Sequence, residues 1–498
     1  MPTFVPAASA APGPASSRQH ARHPARRLPL ALLLCLPLLA AGCASPIDPA
    51  TAREIPEEVR RAVRQSVDQG YRTGVVVGLV NPQGVYTFAY PSAAQVVPGE
   101  AARGEVVTPG SVFAVGSLTK VFTGIVLADM VERGEVELEG PLNRYLPAGL
   151  EIPARDGVEL TLAHLATHTS GLPKEAPGWD WRSTGPADAI VHFARDYGYP
   201  RAYGAAYEYS NLGMALLGRV LEVRAGKPLA DLVHERVAGP LGLGETGYAL
   251  SPEASSRLAT PHRGAEALPA GELAVPASAH AAGGLYSTAE DLLAFVAANL
   301  EAAAGESASG LGAGLRRSWV PRARTDEAEL AMGLGWKIYQ QGERALVHHG
   351  GQSAGHQAFI GFDAREGYGV VLLAASRSDD DLDRVALHLL SPRVPLPDFS
   401  LPPEVTLSPE VLTAHAGLYR IEGGNGVELT VEEGRLVYVE TTPAGKHVRT
   451  TALRAESETH FTIPGLPVGV EAQRRDGRTV ALALRVDDGE EFLARRVE

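Results

Sequence analysis

Cysteine is almost absent from this chain of 498 residues. The only two cysteines are Cys35 and Cys43, and both lie close to the N-terminus. A disulfide, a cysteine nucleophile and a Cys-based metal site are therefore excluded from the body of the chain. The fold has to be held together by its hydrophobic core, and hydrophobic residues make up 45% of the sequence.

A surplus of basic residues is also missing, because the formal net charge is −13. Proteins that bind nucleic acid neutralise its phosphates with lysine and arginine, so we expect no nucleic-acid partner. We also expect neither a bound metal nor an organic cofactor. Charged residues make up 21% of the chain, which is typical of an ordinary soluble protein with an acidic balance.

The longest apolar run is too short for a comfortable transmembrane helix. It covers Leu28–Ala41, follows a segment that contains four arginines, and ends in small residues before Cys43. This order resembles a bacterial lipobox, in which the cysteine becomes the lipidated first residue of the mature chain. We expect 1–42 to be a lipoprotein signal peptide, 43–56 to be a tether, and the protein to be lipid-anchored in the cell envelope, facing the periplasm. An ordinary secretory signal with a chance cysteine is the alternative.

Helical and strand patterns alternate along residues 57–390. Residues 57–70 form an amphipathic pattern that predicts a helix, and 73–90 predict two strands around a turn. Strand character returns near 345–376. Further helices are expected at 117–134, 161–167, 211–225, 228–239 and 288–303. Strands at both ends with helices between them predict an α+β domain whose terminal segments share one sheet.

The rest of the chain has a different composition. Residues 391–410 contain six prolines, which predicts a linker. Residues 411–498 show short alternating strands and glycine-rich turns. This pattern predicts a small antiparallel barrel or sandwich as a C-terminal domain.

Ser117 and Lys120 form the first pair of residues with catalytic chemistry. A serine hydroxyl is a poor nucleophile until a base takes its proton. Positions i and i+3 of a helix share a face, so the two side chains should point at the same spot. If a helix begins at Ser117, its N–H groups and its dipole favour an oxyanion there and a neutral lysine. SxxK alone recurs by chance, and a solvated helix start is then the ordinary explanation.

Two further motifs give this pair its context. Tyr209 and Asn211 stand in Tyr-Ser-Asn before a predicted helix. The phenol can act as a base where cationic neighbours lower its pKa, and the amide can contact a substrate, although an isolated triplet of this kind is more often a helix cap. His349 begins His-Gly-Gly-Gln in a strand-like run, where glycines let a substrate lie close to the strand edge. The histidine would present a hydrogen-bond donor or a cation.

In this order, the three motifs resemble those of the class C β-lactamase and penicillin-binding serine hydrolase family, which includes D-aminopeptidases, D-Ala-D-Ala carboxypeptidases and esterases. The phrases THTSGLP, PLGLGET and AAGGLYSTAEDLLAF add to the likeness, which covers about 55–390. The resemblance implies an antiparallel sheet flanked by helices beside a mainly helical region, with the site between them. Residues 416–439 and 490–497 resemble the small lipocalin-like domain of some of these peptidases.

The same resemblance implies a role for each motif residue. Ser117 would be the nucleophile, and water would hydrolyse the acyl-enzyme that it forms. Lys120 and Tyr209 would exchange protons with it, and the choice of general base between them stays open. The backbone N–H groups of Ser117 and Gln352 would form the oxyanion hole. The implied substrate contacts are Asn211, His349, Gly351 and Gln352.

The third motif departs from the Lys-Thr-Gly that many family members carry. The spacing best fits His349-Gly350-Gly351, whereas a register that starts at His348 needs one extra residue. A histidine is only partly charged at neutral pH, so it would anchor a substrate carboxylate less reliably than lysine. We therefore expect a peptide or amide substrate first, for example a D-amino-acid peptide. An esterase follows, then a weak β-lactamase, and the non-enzyme alternative is a penicillin-binding sensor that is acylated without turnover.

Other motifs favour structural interpretations. Ser353 stands in a GxSxG sequence, but a strand follows it where a nucleophile elbow needs a helix. His164 and His168 have the i, i+4 spacing of metal ligands but lack the glutamate of HExxH, so packing or a helix end is the better interpretation. His348 and His349 should face opposite sides of a strand and cannot easily share one ion.

Overall fold

The computed structural model describes residues 49–69, 72–91, 107–175, 188–263, 266–307, 310–377, 382–400, 403–422, 424–464, 468–486 and 491–497. The predicted signal peptide, Cys43 and the first residues of the tether, up to residue 48, lie outside the described residues. Across these ranges no helix is both long and apolar enough to cross a membrane.

One antiparallel sheet dominates the chain up to residue 377. The strands of this part are β1 (Gly74–Asn81), β2 (Gly84–Pro91), β3 (Phe113–Ala114), β4 (His262–Arg263), β5 (Glu266–Ala267), β6 (Tyr286–Ser287), β7 (Ala323–Arg324), β8 (Leu330–Met332), β9 (Lys337–Gln341), β10 (Arg344–Gln352), β11 (Gln357–Asp363), β12 (Tyr368–Ala374) and β13 (Ser376–Arg377). Eight of them form the sheet, in the order β2-β1-β12-β11-β10-β9-β8-β7. Val77 of β1 lies opposite Leu372 of β12, so the two ends of the domain share the sheet as the sequence predicts.

Helices cover this sheet and build the region beside it. They are α1 (Glu57–Asp68), α2 (Thr119–Glu132), α3 (Leu162–Ala166), α4 (Ala189–Asp196), α5 (Asn211–Ala225), α6 (Leu229–Val233), α7 (Pro252–Ser256), α8 (Ala289–Ala304), α9 (Gly312–Ser318) and α10 (Leu382–Leu390). The predicted helices 211–225 and 288–303 agree with α5 and α8 to within a residue. The predicted helix 228–239 is α6 followed by a π-helix over His234–Ala238.

The sheet separates two hydrophobic cores. Along β1, Val76 and Val80 pack into the core that contains α2 and α8, whereas Val75 and Val77 pack into the core with α1 and α10. Because both faces are covered, β1 is apolar at successive positions and does not alternate with polar residues. Each fully buried valine stabilises the fold by about 1.5–3 kcal/mol relative to exposure.

Helix α2 is enclosed on all sides. Every residue from Thr119 to Met130 is buried, which is the expected position of a helix that is apolar around its whole circumference. At Gly124 a side-chain carbon would lie 1.9 Å from the carbonyl oxygen of Leu334, so the helix and the neighbouring loop are in direct backbone contact. This packing fixes the first turn of α2, which contains Lys120 and directly follows the turn that contains Ser117.

The C-terminal part forms a second, strand-rich sheet. It contains α11 (Pro409–His415), β14 (Gly417–Ile421), β15 (Gly426–Glu432), β16 (Arg435–Thr441), β17 (His447–Ala452), β18 (Arg454–Ala455), β19 (His460–Thr462), β20 (Val468–Arg475), β21 (Arg478–Val486) and β22 (Glu491–Arg496). The strand order is β17-β16-β15-β14-β22-β21-β20-β19-β18. Only Leu453 separates the two edge strands along the chain, so the sheet curls around its own core, which includes Tyr419, Leu429 and Phe461.

Within the predicted linker, Phe399 is buried against the core that contains α1 and α10. Ser408 caps α11 by accepting a hydrogen bond from the N–H of Val411. This proline-rich stretch therefore contributes side chains both to a hydrophobic core and to a helix start.

Candidate active site

Ser117 lies at the start of the buried helix. A 3-10 turn over Gly116–Leu118 leads directly into α2. From Ser111 to Lys120 every residue is buried except Ser117, which is partly exposed. The helix thus presents one hydroxyl to solvent at its positive end, and this is a suitable position for a nucleophile whose product carries negative charge.

The Lys120 side chain is completely buried beside this hydroxyl. Its Nζ donates a hydrogen bond of 2.9 Å to Ser117 Oγ and another of 2.6 Å to the carbonyl oxygen of Ala282. The i, i+3 geometry predicted for Ser117 and Lys120 is therefore present. Ala282 belongs to the glycine-containing segment before β6, and no sequence signal pointed to its carbonyl as the second acceptor.

Tyr209 completes the group. Its hydroxyl interacts with Lys120 and Ser117, and the Lys120 Nζ lies 5.0 Å from the centre of its ring. Burial alone would raise the pKa of Tyr209, but the charge of Lys120, these two interactions and the more distant charge of Lys337 outweigh it and lower that pKa. The phenol is thereby shifted toward the ionisation that a proton acceptor needs.

Asn211 lies two residues further, at the first position of α5. Ser210 caps this helix by accepting a 2.8 Å hydrogen bond from the N–H of Gly213. The Asn211 side chain donates a 2.6 Å hydrogen bond to a carboxylate oxygen of Glu175. Burial raises the pKa of Glu175, while the bond from Asn211 and the charge of Lys120 oppose that rise. Glu175 was not among the predicted site residues.

Strand β10 packs directly against the Ser117 turn. A side-chain carbon on Gly351 would lie 2.1 Å from the carbonyl oxygen of Val115 and 3.2 Å from the N of Ser117. One on Gly116, whose φ is +53°, would lie 2.8 Å from the N of Gln352. Only glycine allows this approach, which brings the backbone of Gly351 and Gln352 against the turn that contains Ser117.

The sequence offered His349 as a hydrogen-bond donor or a cation, and the surroundings of the ring disfavour the cation. His349 is 2% exposed, and burial lowers its pKa well below the ordinary value, with the charges of Lys337 and Lys120 acting in the same direction. Its Nδ1 lies 2.5 Å from the carbonyl oxygen of Gly350 and so carries the proton. Its Nε2 is a buried acceptor with no partner among the described residues.

A cavity of about 170 Å³ opens over Ser117. Asn211 and Gln352 line it, whereas Lys120, Tyr209 and His349 are not in its lining. The described lining contains two charged side chains, and both are acidic: Glu175 and Glu272. The charged side chains of the described cavity lining are therefore both negative when ionised.

His168 is the residue whose place the sequence did not reveal. Its ring packs on Tyr209, with 4.4 Å between ring centres, and its Nδ1 accepts a 3.2 Å hydrogen bond from the N–H of Ser210. Packing was the sequence interpretation, and the structure specifies that the packing partner is Tyr209. The one available signal was that His168 is part of the phrase THTSGLP, which says nothing about its distance to Tyr209.

The other motifs have structural roles. Ser353 forms the turn between β10 and β11, where its hydroxyl accepts a 2.9 Å hydrogen bond from the N–H of His356. His348 stacks on Phe359, on the face of the sheet opposite to His349. Within the described ranges, no group of three His, Cys, Asp or Glu side chains is arranged to hold a metal ion.

Comparison with known proteins places these features in a family. The family model described as Beta-lactamase matches residues 59–391. A solved class C beta lactamase from Rhodobacter sphaeroides superposes with a TM-score of 0.58 at 22% identity, over 68% of this chain and 99% of that one. At that identity the superposition establishes the fold.

Two curated relatives are similar over shorter or more divergent stretches. The D-alanyl-D-alanine-carboxypeptidase/endopeptidase AmpH of Escherichia coli (strain K12) is 35% identical over 213 residues, which are 39% of this chain and 51% of AmpH. Penicillin-binding protein 4 of Amycolatopsis lactamdurans is 27% identical over 336 residues, which are 64% of this chain and 87% of that protein. The chain thus spans about half the length of AmpH.

Proposed function

Because this chain belongs to the Beta-lactamase family, we propose that it is a serine hydrolase that acts through an acyl-enzyme on Ser117. The observation that carries the proposal is the hydrogen bond of 2.9 Å from Lys120 Nζ to Ser117 Oγ at the start of a buried helix. Tyr209, whose hydroxyl interacts with both groups, supplies the third member of the proton-transfer set.

In the acylation step, Ser117 Oγ forms a bond to the substrate carbonyl carbon while its proton passes to Tyr209 or Lys120. The lowered pKa of Tyr209 favours the phenol as the first acceptor. The N–H groups of Ser117 and Gln352 stabilise the oxyanion, and the bond to the leaving group then breaks as that group takes the proton. A water molecule hydrolyses the resulting ester by the same steps and releases the acid product.

The charge of the site supports a choice of substrate. A substrate carboxylate would meet Glu175 and Glu272 in the described cavity lining, and the neutral His349 provides no counter-charge. Amides, peptides and esters without a carboxylate near the scissile bond suit this environment better. A peptide or amide is our first choice, in line with the name of AmpH. An esterase is second, and a weak β-lactamase is third because β-lactam antibiotics carry such a carboxylate.

Labelling with a fluorescent fluorophosphonate tests the nucleophile. We expect wild-type protein to be labelled at Ser117, as shown by peptide mass mapping, and Ser117→Ala to be unlabelled and inactive on p-nitrophenyl esters. Circular dichroism verifies that the variant is folded. Equal labelling of Ser117→Ala and wild type contradicts the proposal, and labelling without turnover on esters, D-alanyl peptides and nitrocefin supports the sensor alternative.

For the regions outside the hydrolase fold, we propose a lipid anchor at Cys43 and a closed, lipocalin-like barrel for 411–498. The lipobox-like order before Cys43 supports the first proposal, and the nearness of the two edge strands at Leu453 supports the second. Cys43→Ser should move the full-length protein from the membrane to the soluble fraction. Unchanged membrane association of that variant contradicts the anchor.

A further inference from the structure

His168 holds an unusual backbone position. Helix α3 ends at Ala166, and His168 follows with a φ of +57°, a left-handed conformation that few residues other than glycine adopt. Its side chain is completely buried. A strained backbone at a buried polar residue is retained when the surrounding structure needs that residue in place.

The hydrogen bonds of His168 lie on both sides of Tyr209. Its carbonyl oxygen accepts a 2.8 Å hydrogen bond from the N–H of Glu208. Its ring Nδ1 accepts one of 3.2 Å from the N–H of Ser210. The residues immediately before and after Tyr209 are therefore both tied to His168, and the imidazole packs against the phenol ring between them.

From this geometry we propose that His168 is a positioning residue that holds the Tyr209 hydroxyl against Lys120 and Ser117. The inference rests on the proposed function, since it assumes that Tyr209 takes part in proton transfer. A tyrosine ring at the end of a loop has freedom to rotate and shift. A displacement of about 1 Å at a reacting group can reduce the rate about 100-fold.

The chemistry of imidazole suits this place. Burial lowers the pKa of His168 to about 3, and the charges of Lys120 and Lys337 act in the same direction. The ring is therefore neutral at physiological pH, and because Nδ1 accepts from Ser210, the proton sits on Nε2. A neutral ring supplies an acceptor and an aromatic face without a positive charge that would repel Lys120.

Two matched substitutions test separately the hydrogen-bond acceptor of His168 and the shape of its side chain. In His168→Asn the side-chain oxygen can occupy the place of Nδ1, and asparagine tolerates a positive φ better than most residues. His168→Leu has nearly the same outline but no acceptor. Where the leucine variant does not fold, His168→Gly takes its place, because glycine adopts the left-handed conformation freely.

The control is His164, which lies four residues earlier, in α3. Its ring Nδ1 accepts a 3.3 Å hydrogen bond from the N–H of Thr161, and its ring lies 6.4 Å from that of Tyr203. His164→Ala removes a histidine-to-backbone hydrogen bond of the same kind at a place away from Tyr209. Any loss of stability that it shares with the His168 variants is thereby separated from an effect on catalysis.

The readout is steady-state hydrolysis of p-nitrophenyl butyrate by the full chain, with the melting temperature measured in parallel. We expect His168→Leu to lose about 100-fold in kcat with KM changed less than about threefold. His168→Asn should recover to within about tenfold of wild type, and His164→Ala should keep the wild-type kcat. Equal kcat for the Asn and Leu variants, or a wild-type kcat in both, overturns the proposal.

The pH profile gives a second readout that a merely structural role would not change. The groups that face the His168 ring are Tyr209, Tyr207 and the charges of Lys120 and Lys337. When Tyr209 drifts from Lys120 it loses the charge that lowers its pKa. The rising limb of kcat/KM should therefore move to higher pH in His168→Leu and stay in place in His164→Ala.

Failure of the inference can be told from failure of the proposed function. If Ser117→Ala keeps its activity, the proposed function is wrong and the His168 results carry no meaning for it. If Ser117→Ala is inactive while His168→Leu matches wild type in kcat and in pH profile, only the role of His168 is wrong.

Discussion

The active site has a helical wall and a sheet wall, and the two differ in how they are built. The helical wall, formed by residues 116–120, 168 and 207–211, contains the hydrogen bond from Lys120 to Ser117 and the one from the N–H of Ser210 to His168. The sheet wall, formed by residues 349–352 of β10, contributes backbone at two glycines and a neutral histidine. Reaction chemistry is therefore concentrated on the helical wall, and the sheet wall positions the substrate without a fixed charge.

This difference explains why the reaction type is easier to infer than the substrate. Proton transfer to and from a serine needs particular side chains at fixed distances, and the helical wall has them. On the sheet wall and in the acidic cavity lining, few side chains of the described residues would restrict the shape of a substrate. This environment therefore suits a broad set of acyl compounds.

The largest effect should come from Lys120→Ala on the helical wall. The change removes the hydrogen bond to Ser117 and the positive charge that lowers the pKa of Tyr209. We expect kcat/KM on p-nitrophenyl esters to fall about a thousandfold or more. Lys227→Ala is the control, because Lys227 is exposed and paired only with Glu235 at the surface. A decrease in kcat/KM of less than tenfold for Lys120→Ala would mean that the helical wall does not carry out the proton transfer.

Next in size is Gly351→Ala on the sheet wall. Its new methyl group would collide with the carbonyl oxygen of Val115 and push β10 away from the Ser117 turn. We expect kcat/KM to fall about 100-fold while Ser117 and Lys120 stay in place. Gly198→Ala is the control, because its methyl group enters open space. Wild-type rates in Gly351→Ala would show that the close contact between the two walls has no part in the reaction.

The neutrality of the histidines in β10 predicts a loss of stability in acid. Burial and the charge of Lys337 lower the pKa of His348 to about 3, whereas the unfolded chain binds a proton near pH 6.5. The unfolded state therefore binds more protons between these values, and the free energy of unfolding decreases as the pH falls from about 6.5 toward 3. At pH 5 the contribution of His348 amounts to about 2 kcal/mol.

Urea unfolding at pH 7 and pH 5 measures this effect. His348→Phe keeps an aromatic ring on Phe359 but cannot bind a proton. Between pH 7 and pH 5, the free energy of unfolding of this variant should therefore decrease by about 2 kcal/mol less than that of the wild type. His192→Phe, at an exposed position of α4, is the control for removing a histidine. An unchanged difference in His348→Phe would show that this histidine is already charged at pH 5.

The smallest effect should come from Glu175→Gln, which tests the acidic lining. We expect the ratio of kcat/KM for D-alanine p-nitroanilide to that for its N-acetyl derivative to fall about fivefold, because an exposed carboxylate attracts the free amine weakly. Glu301→Gln, exposed on α8, is the control. A ratio that rises or stays constant would remove Glu175 from substrate selection.

Much of the fold followed from local pattern. The continuous apolar runs of β11 and β12, the amphipathic α1 and the capped helices α5 and α8 are elements in which neighbouring residues alone set the periodicity. The Ser117–Lys120 pair is also local, since three residues of helix bring the two side chains together. The helix α10 is not among the predicted helices, and its apolar face packs into the core against the sheet.

The amino-acid sequence by itself determined the order of the three motifs, the absence of cysteine chemistry and the serine with its lysine partner. Only the tertiary structure decided that His168 supports Tyr209, that Glu175 faces the cavity, and that His349 is neutral. These properties depend on burial and on charges from residues far away in the chain, such as Lys337 beside His349. The electrostatic environment of a side chain depends on what packs around it in the folded protein, and the spacing of motifs along the sequence does not specify it.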